Sequence, residues 1–241
     1  MVSFHTITHK GDRGHNEDCA AVFREHDRWC CVVADGLGGM GGGSEASACV
    51  IETIKSCFED NYLNERTLLD CCQEAHKAIK KRKKELHQNG KMFSTVVLLY
   101  GDGERVYWSH SGDSRLYLFE GTDLVFRTKD HSVPQMLASC GEIKEEEIRF
   151  HSDRNRLLAC LGVDEDEAKL SALGGMELKP GLFALLCTDG FWELIPEDQM
   201  TDTLLRSHSV KSWLEKMEEI VRGNPQTDDK DNYTAVGMWC L

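Results

Sequence analysis

The sequence predicts an α+β protein in which an antiparallel sheet system carries helices packed on its outside. Short runs rich in β-forming residues are grouped along the chain, and two long helical segments separate the first group from the next. This order differs from the regular alternation of strand and helix that builds a parallel sheet. With 241 residues, 41% of them hydrophobic, the chain is expected to form one domain, residues 1–241, with a substantial core.

Seven segments have the length and composition of strands. The fourth and fifth are expected to form a hairpin, because the turn Ser111–Ser114 between them contains Gly and Asp, which suit tight turns. The seven segments are Cys19–Arg24, Trp29–Ala34, Ser94–Tyr100, Arg105–His110, Arg115–Glu120, Phe183–Thr188 and Tyr233–Cys240.

Four helices are expected to pack against these strands. Ser44 is a candidate N-cap for a helix that ends near Asp60, and Asn64 is one for a second helix. In the second helix, apolar residues recur at helical spacing as far as Leu86. The other two helices are predicted at Glu197–Ser207 and Val210–Arg222.

The segment from about 132 to 155 departs from both patterns. It contains Pro134 and a cluster of glutamates, and it has little sustained apolar periodicity. Two interpretations remain open: a mobile flap over a functional site, or an ordinary surface helix and loop.

The composition excludes several classes of partner. A formal net charge of −13 disfavours binding to nucleic acid or to an anionic membrane, and no apolar run approaches the length of a membrane span. The eleven cysteines are odd in number and contain no Cys-x-x-Cys pair, so reduced thiols are expected. Because a signal-peptide pattern is also absent, we expect a cytoplasmic protein, with a monomer as the default.

Five acidic residues stand in contexts that are typical of ligands for a hard cation. Four aspartates each precede a small residue at a strand end or tight turn, and a glutamate lies in the polar segment 13–18. Because these ligands are all oxygens, they favour Mg²⁺ or Mn²⁺ over Zn²⁺. A pair of such ions is a common device for hydrolysing phosphate esters. The five residues are Glu17, Asp35, Asp113, Asp189 and Asp231.

Eight short motifs, taken in order, resemble those of the metal-dependent protein Ser/Thr phosphatase family known as PP2C, or PPM. Each motif is weak by itself, but together they cover nearly the whole chain. Leu37 stands where many eukaryotic members carry a histidine, which favours a bacterial-type member. The motifs are Arg13–Asp18, Asp35–Gly39, Ser94–Thr95, Gly112–Arg115, Asp130–Ser132, Asn155–Gly162, Cys187–Gly190 and Asp231–Thr234.

The resemblance implies a four-layer αββα sandwich, with two stacked antiparallel β-sheets flanked by pairs of antiparallel helices. It implies hydrolysis of phosphoserine and phosphothreonine in phosphoproteins, which are the expected targets of a Ser/Thr kinase. The attacking group would be a water or hydroxide that bridges two Mg²⁺ or Mn²⁺ ions.

The resemblance also implies the metal ligands. Asp35 would bridge the two ions, while Glu17 and the Gly36 carbonyl would hold one of them. Asp189 and Asp231 would hold the other ion together with Asp35.

Further roles follow from the same resemblance. Arg13 would clamp the substrate phosphate through its planar guanidinium and would be catalytic together with Asp35. Asp113 matches a ligand of a third, weaker ion, and Glu193 stands where an aspartate often helps to hold that ion. Asp18 and Asn232 would support the site.

Two other functions remain alternatives. The first is a catalytically silent PP2C-like domain that only binds phosphoproteins or partner surfaces. The second is a dinucleotide-binding fold, because Gly36–Gly41 fits the pattern G-x-G-x-x-G between a strand and a helix. A second long helix then follows where that fold needs a parallel strand, which argues against it.

Overall fold

The computed structural model describes residues 1–38, 41–60, 63–86, 92–164, 168–225 and 229–241. Two antiparallel sheets form its centre. The first sheet has the strand order β1-β11-β10-β7-β8. Its strands are β1 (Val2–His9), β7 (Arg115–Glu120), β8 (Asp123–Arg127), β10 (Leu182–Cys187) and β11 (Tyr233–Cys240).

The second sheet has the order β2-β3-β5-β6-β9, and the short β4 pairs with β3. All of the pairings described in the two sheets are antiparallel, which contradicts a dinucleotide-binding fold. The strands are β2 (Asp18–Glu25), β3 (Arg28–Leu37), β4 (Phe93–Ser94), β5 (Val96–Gly101), β6 (Arg105–Ser111) and β9 (Ser171–Glu177).

Helices cover the outer face of each sheet. Helices α1 (Gly42–Asp60) and α2 (Glu65–Glu85) pack on the second sheet, while α5 (Glu197–Leu205) and α6 (Val210–Gly223) pack on the first. This arrangement confirms the predicted four-layer sandwich. The single-turn helix α4 (Asp189–Trp192) follows β10. None of the helices in the described ranges combines the length and the apolar composition needed to cross a bilayer.

Strand β3 shows why the central strands are apolar on both faces. Cys30, Val32 and Ala34 pack with α1 and α2, whereas Cys31 and Val33 face the first sheet. All five side chains are buried, so the strand reads as a continuous apolar run rather than an alternating one.

The helices follow their local sequence signals. In α6, Trp213, Leu214 and Met217 are buried at helical spacing, and Ser209 caps the first turn by accepting a hydrogen bond from the Ser212 amide. The predicted cap of α2 is confirmed, because Asn64 Oδ1 accepts from the amides of the first turn.

Two local predictions are wrong. Helix α1 begins at Gly42, so Ser44 lies inside its first turn instead of capping it. The run Arg105–Glu120 is not a hairpin, because β6 belongs to the second sheet and β7 to the first. The turn between them, with Gly112 at φ +103°, carries the chain from one sheet to the other.

The segment 132–155 contains a short helix, α3 (Val133–Ser139), and a 3₁₀ turn at Glu145–Phe150. Gln135 Nε2 donates to Glu145 Oε1 at 3.0 Å, which ties the helix to the turn. Arg149 joins the turn to Glu197 and to the backbone of Trp192. A surface helix and loop is therefore its described form, and its movement as a flap stays a prediction.

Candidate functional site

One cavity of about 940 Å³ brings the predicted acids together, although they are far apart in the sequence. It opens where β3, β10 and β11 meet the segment that precedes β2. Two of the predicted residues lie beside it: Asp18 is buried behind the acids, and Glu193 lines an adjacent smaller cavity. The residues of the prediction that line the main cavity are Arg13, Glu17, Asp35, Gly36, Asp113, Asp189, Asp231 and Asn232.

Asp35 is held near the end of β3 by its neighbours across the sheet. Its amide donates to Thr95 Oγ1 at 2.9 Å, and its carbonyl accepts from the Thr95 amide at 2.9 Å. Thr95 Oγ1 is also hydrogen-bonded to Ser114 Oγ at 2.7 Å. Thr95, which interrupts the predicted strand Ser94–Tyr100, therefore fixes the backbone beneath the acid that is expected to bridge two ions.

Glu17 is packed so closely against glycines that larger residues would not fit there. A Cβ atom on Gly43 would lie 2.7 Å from Glu17 Oε2, and one on Gly36 would lie 2.1 Å from the Gly43 carbonyl oxygen. The backbone amides of Gly43 and Ser44, at the start of α1, bind the Glu17 carboxylate, while burial raises its pKa. Gly39 and Met40 of the glycine run lie outside the described residues.

Asn232 connects the start of β11 to the segment that carries Glu17. Its Oδ1 accepts from the Glu17 amide at 2.7 Å, and its Nδ2 donates to the carbonyls of Lys10 and His15 at 2.8 and 2.9 Å. In the described arrangement, this side chain orients a predicted metal ligand through its backbone.

Arg13 binds two aspartates near the entrance of the site. Its Nε and Nη2 donate to Asp231 Oδ1 and Oδ2 at 3.0 and 3.2 Å, and its Nη1 donates to Asp229 Oδ2 at 3.0 Å. Both carboxylate oxygens of Asp231 are therefore occupied by the guanidinium. The sequence reasoning missed Asp229, although it lies only two residues before a predicted ligand.

The remaining acids raise one another's pKa values. Burial, followed by repulsion from Asp18 and the other acids, holds the pKa of Asp35 well above its usual range. The same causes raise the pKa of Asp18 to about 7 and that of Asp189 to about 6. No described Lys or Arg side chain forms an ion pair with Asp35, Asp113 or Asp189. A bound cation would offset this repulsion.

The donor set fits a hard divalent ion, because it consists of carboxylate and carbonyl oxygens. Asp18 Oδ1 and Glu193 Oε1 are also buried without a hydrogen-bond partner among the described residues. As the side chains now stand, no three His, Cys, Asp or Glu residues in the described ranges are arranged to hold an ion. An ion that used Asp231 would have to take it from Arg13.

The side of the cavity near Asp113 contains contacts that sequence reasoning missed. Trp192 Nε1 donates to the Asp113 carbonyl at 2.9 Å, which fixes the turn between the sheets. Arg154 Nε donates to Glu193 Oε2 at 3.0 Å, and burial raises the pKa of Glu193 to about 7. The only sequence signal for Arg154 was its position immediately before the motif that begins at Asn155.

Comparisons with known proteins point to one family. The family model described as Protein phosphatase 2C matches residues 8–228. The chain is 30% identical over 237 residues to serine/threonine phosphatase stp of Listeria welshimeri, covering 93% of this chain and 90% of that protein. It is 26% identical over 215 residues to protein phosphatase PhpP of Streptococcus pneumoniae, covering 86% and 84% of the two chains.

Solved structures show the same fold. Serine/threonine phosphatase Stp1 of Staphylococcus aureus superposes with a TM-score of 0.90 at 23% identity, covering 100% of this chain and 96% of that one. The catalytic domain of the serine/threonine protein phosphatase PstP, solved in complex with two manganese ions, has a TM-score of 0.78 at 25% identity. That comparison covers 99% of this chain and 97% of the other.

Proposed function

Since this chain belongs to the protein phosphatase 2C family, we propose that it hydrolyses phosphoserine and phosphothreonine in phosphoproteins by means of two Mg²⁺ or Mn²⁺ ions. One observation carries the proposal: Glu17, Asp35, Asp189 and Asp231 line a single cavity together with Arg13. Three of these acids, Glu17, Asp35 and Asp189, form no ion pair with a Lys or Arg side chain among the described residues, which suits them to binding divalent ions.

Five groups of the chain would bind the two ions. Glu17 and the Gly36 carbonyl would hold one ion, Asp189 and Asp231 would hold the other, and Asp35 would contact both. When bound, the two ions would supply an activated water or hydroxide and neutralise negative charge on the phosphate.

Arg13 would bind the phosphate with the same guanidinium face that now binds Asp231. Its planar fork matches two phosphate oxygens as well as two carboxylate oxygens. Asp113, with Glu193 nearby, would be a ligand of a third ion. Leu37 also lines the cavity, and its hydrocarbon side chain cannot donate a proton.

The substrates would be proteins phosphorylated by a Ser/Thr kinase, and residues 132–155 would form the flap beside the entrance. The monomeric state and cytoplasmic location stay predictions. Light scattering during size-exclusion chromatography measures the oligomeric state directly.

Phosphate release from a phosphothreonine peptide tests the proposal. We expect turnover with Mn²⁺ and none with EDTA, and restored turnover when Mn²⁺ is returned in excess. A folded sample that binds the phosphopeptide but releases no phosphate with Mn²⁺ would establish the silent-domain alternative instead.

A further inference from the structure

A second cavity, of about 610 Å³, lies on the other side of one wall of the phosphatase site. The shared wall is the stretch 155–159: Asn155 and Leu157 line the first cavity, whereas Leu158 and Ala159 line the second. The Leu158 amide donates to the His131 carbonyl at 2.8 Å, which holds this stretch in place. No described residue lines both cavities, so the second is a separate compartment.

The lining of the second cavity is largely apolar. Phe126 and Ala159 contribute to it, together with two large hydrophobic side chains that remain exposed: Met136 at 48% and Leu158 at 46%. Exposed hydrophobic residues gathered around a concave surface are typical of ligand pockets. The volume also falls within the range of sites for small molecules.

Two stacked imidazoles add a flat surface to this lining. The rings of His110 and His131 lie 4.7 Å apart, with an angle of 14° between their planes. Three of their four nitrogens have a hydrogen-bond partner: His110 Nε2 contacts the Lys129 carbonyl at 2.8 Å, His131 Nε2 contacts Ser171 Oγ at 2.9 Å, and His131 Nδ1 accepts from the Gly112 amide at 3.3 Å. The pair therefore offers mainly ring surface, which suits an aromatic partner.

The charges around the cavity favour an anion. Lys129 and Lys169 both line it and are exposed, and neither has an acid oxygen within 4.0 Å of its ammonium group among the residues the structure describes, although Glu145 attracts Lys129 from farther away. The only acid in the lining is Asp130, which is buried and bound by Arg115 at 2.8 and 2.7 Å. Two lysines without a close ion pair beside an apolar pocket are distinctive in a chain with a net charge of −13.

We propose that this second cavity binds a small amphipathic organic anion, with an aromatic or branched apolar body and one carboxylate, sulfonate or phosphate group. The apolar body would contact Phe126, Met136 and Leu158, and the anionic group would lie between Lys129 and Lys169. The site is independent of the metal ions, because none of the predicted ligands lines it.

Fluorescence titration with 8-anilinonaphthalene-1-sulfonate tests this proposal on the full chain in EDTA. The neutral N-phenyl-1-naphthylamine, which has the same aromatic body, isolates the contribution of charge. We expect saturable binding of the sulfonate, and we expect that inorganic phosphate with Mn²⁺ in excess of the EDTA does not displace it.

Three variants locate the bound probe. Lys129→Glu combined with Lys169→Glu should weaken the sulfonate by about tenfold and spare the neutral probe, because the lost contact is electrostatic. Ser139→Trp, at an exposed position of α3 that lines the cavity, should weaken both probes by filling it. Lys84→Glu on α2, an exposed lysine that lines neither of the two cavities, should change neither.

The proposal is overturned by any of three results. These are no saturable binding to the wild type, equal sulfonate affinity in the double lysine variant and the wild type, and displacement of the sulfonate by Mn²⁺ with phosphate. Both lysines and Ser139 are exposed, so the substitutions leave the core intact.

Discussion

Arg13 and Asp231 form a two-point ion pair, with Nε–Oδ1 and Nη2–Oδ2 distances of 3.0 and 3.2 Å. The pair joins a residue proposed to bind phosphate to a residue proposed to bind a metal ion. If Asp231 binds an ion as proposed, Arg13 would compete with that ion for it, and metal binding would release the guanidinium towards the substrate.

Arg13→Ala should tighten Mn²⁺ binding by about tenfold, because the variant lacks a positive charge that occupies Asp231. The same variant should raise the KM for a phosphothreonine peptide, since it lacks a phosphate contact. Isothermal titration measures the first effect and steady-state kinetics the second. Arg66→Ala, at an exposed position in the first turn of α2, is the control. Unchanged or weaker Mn²⁺ binding in Arg13→Ala would contradict the competition.

Asp35→Asn and Asp189→Asn should each reduce turnover by orders of magnitude, because each removes a charge from the proposed ion-binding set. Phosphate release under single-turnover conditions with saturating Mn²⁺ measures the loss. Asp123→Asn, an exposed position in the edge strand β8, should keep the wild-type rate. Rates near the wild type in both site variants would rule out the assignment of these acids.

Gly43→Ala should weaken Mn²⁺ binding, because its methyl group would collide with the Glu17 carboxylate at 2.7 Å. Gly223→Ala is a matched control: it is also a helical glycine, and a Cβ there meets nothing within 4 Å. Titration calorimetry should therefore separate the two variants, while circular dichroism shows both folded. Equal Mn²⁺ affinity in the two would show that the close packing against Glu17 does not shape the metal site.

Asp130→Ala should lower the free energy of unfolding by about 3–5 kcal/mol, because it leaves the buried Arg115 guanidinium with only the longer ion pair to Glu197 at 3.8 Å. The two side chains are 1% and 2% exposed, and the Arg115 guanidinium also lies 3.3 Å from the Trp192 ring centre. Glu215→Ala breaks the exposed pair with Lys211 and should change the free energy by less than about 1 kcal/mol. Urea denaturation measures the free energy of unfolding of both variants. Similar losses in the two would contradict the prediction that the buried ion pair contributes more than the exposed one.

His131 should make the protein less stable in mild acid. Burial, followed by the neighbouring His110, lowers the pKa of His131 to about 4, whereas an unfolded histidine titrates near 6.5. As the pH falls from about 6.5 towards 4, only the unfolded chain gains this proton, so the free energy of unfolding decreases.

The contribution of His131 between pH 7 and pH 5 should be about 2 kcal/mol. Acids with raised pKa values, such as Asp18, act in the opposite direction, so the comparison has to be made between variants. Urea titrations should show a smaller loss of stability in His131→Gln than in the wild type. His208→Gln, at an exposed position, should follow the wild type, and identical curves for His131→Gln would disprove the prediction.

The central strands could be predicted from the sequence, and so could the edge strand β2, but the other three edge strands could not. Strands such as β3 and β11 are buried on both faces, so their apolar runs are conspicuous. The three strands missed, β1, β8 and β9, all lie at sheet edges. In β8 only three apolar residues, Leu124–Phe126, lie between charged ones, and β9 contains two glycines, which weaken a strand pattern.

The turn between β6 and β7 shows a second limit. Gly112 and Asp113 correctly indicate a tight turn, but turn chemistry is local and does not reveal which sheet the next strand joins. The acids of the site were predicted because each stands in a recognisable motif. The bond between Arg13 and Asp229 spans 216 residues and follows from tertiary packing that no local pattern encodes.

Strand β11 lies between β1 and β10, and Asp231 and Asn232 immediately precede it. During synthesis, Glu17 and Asp35 leave the ribosome long before β11, which then has to pair between β1 and β10. The first sheet is complete only when β11 has paired. The same step brings Asp231 to the pocket, together with the Asn232 side chain that binds the Glu17 amide. A polypeptide released before residue 231 would lack both residues, and with them part of the proposed metal site.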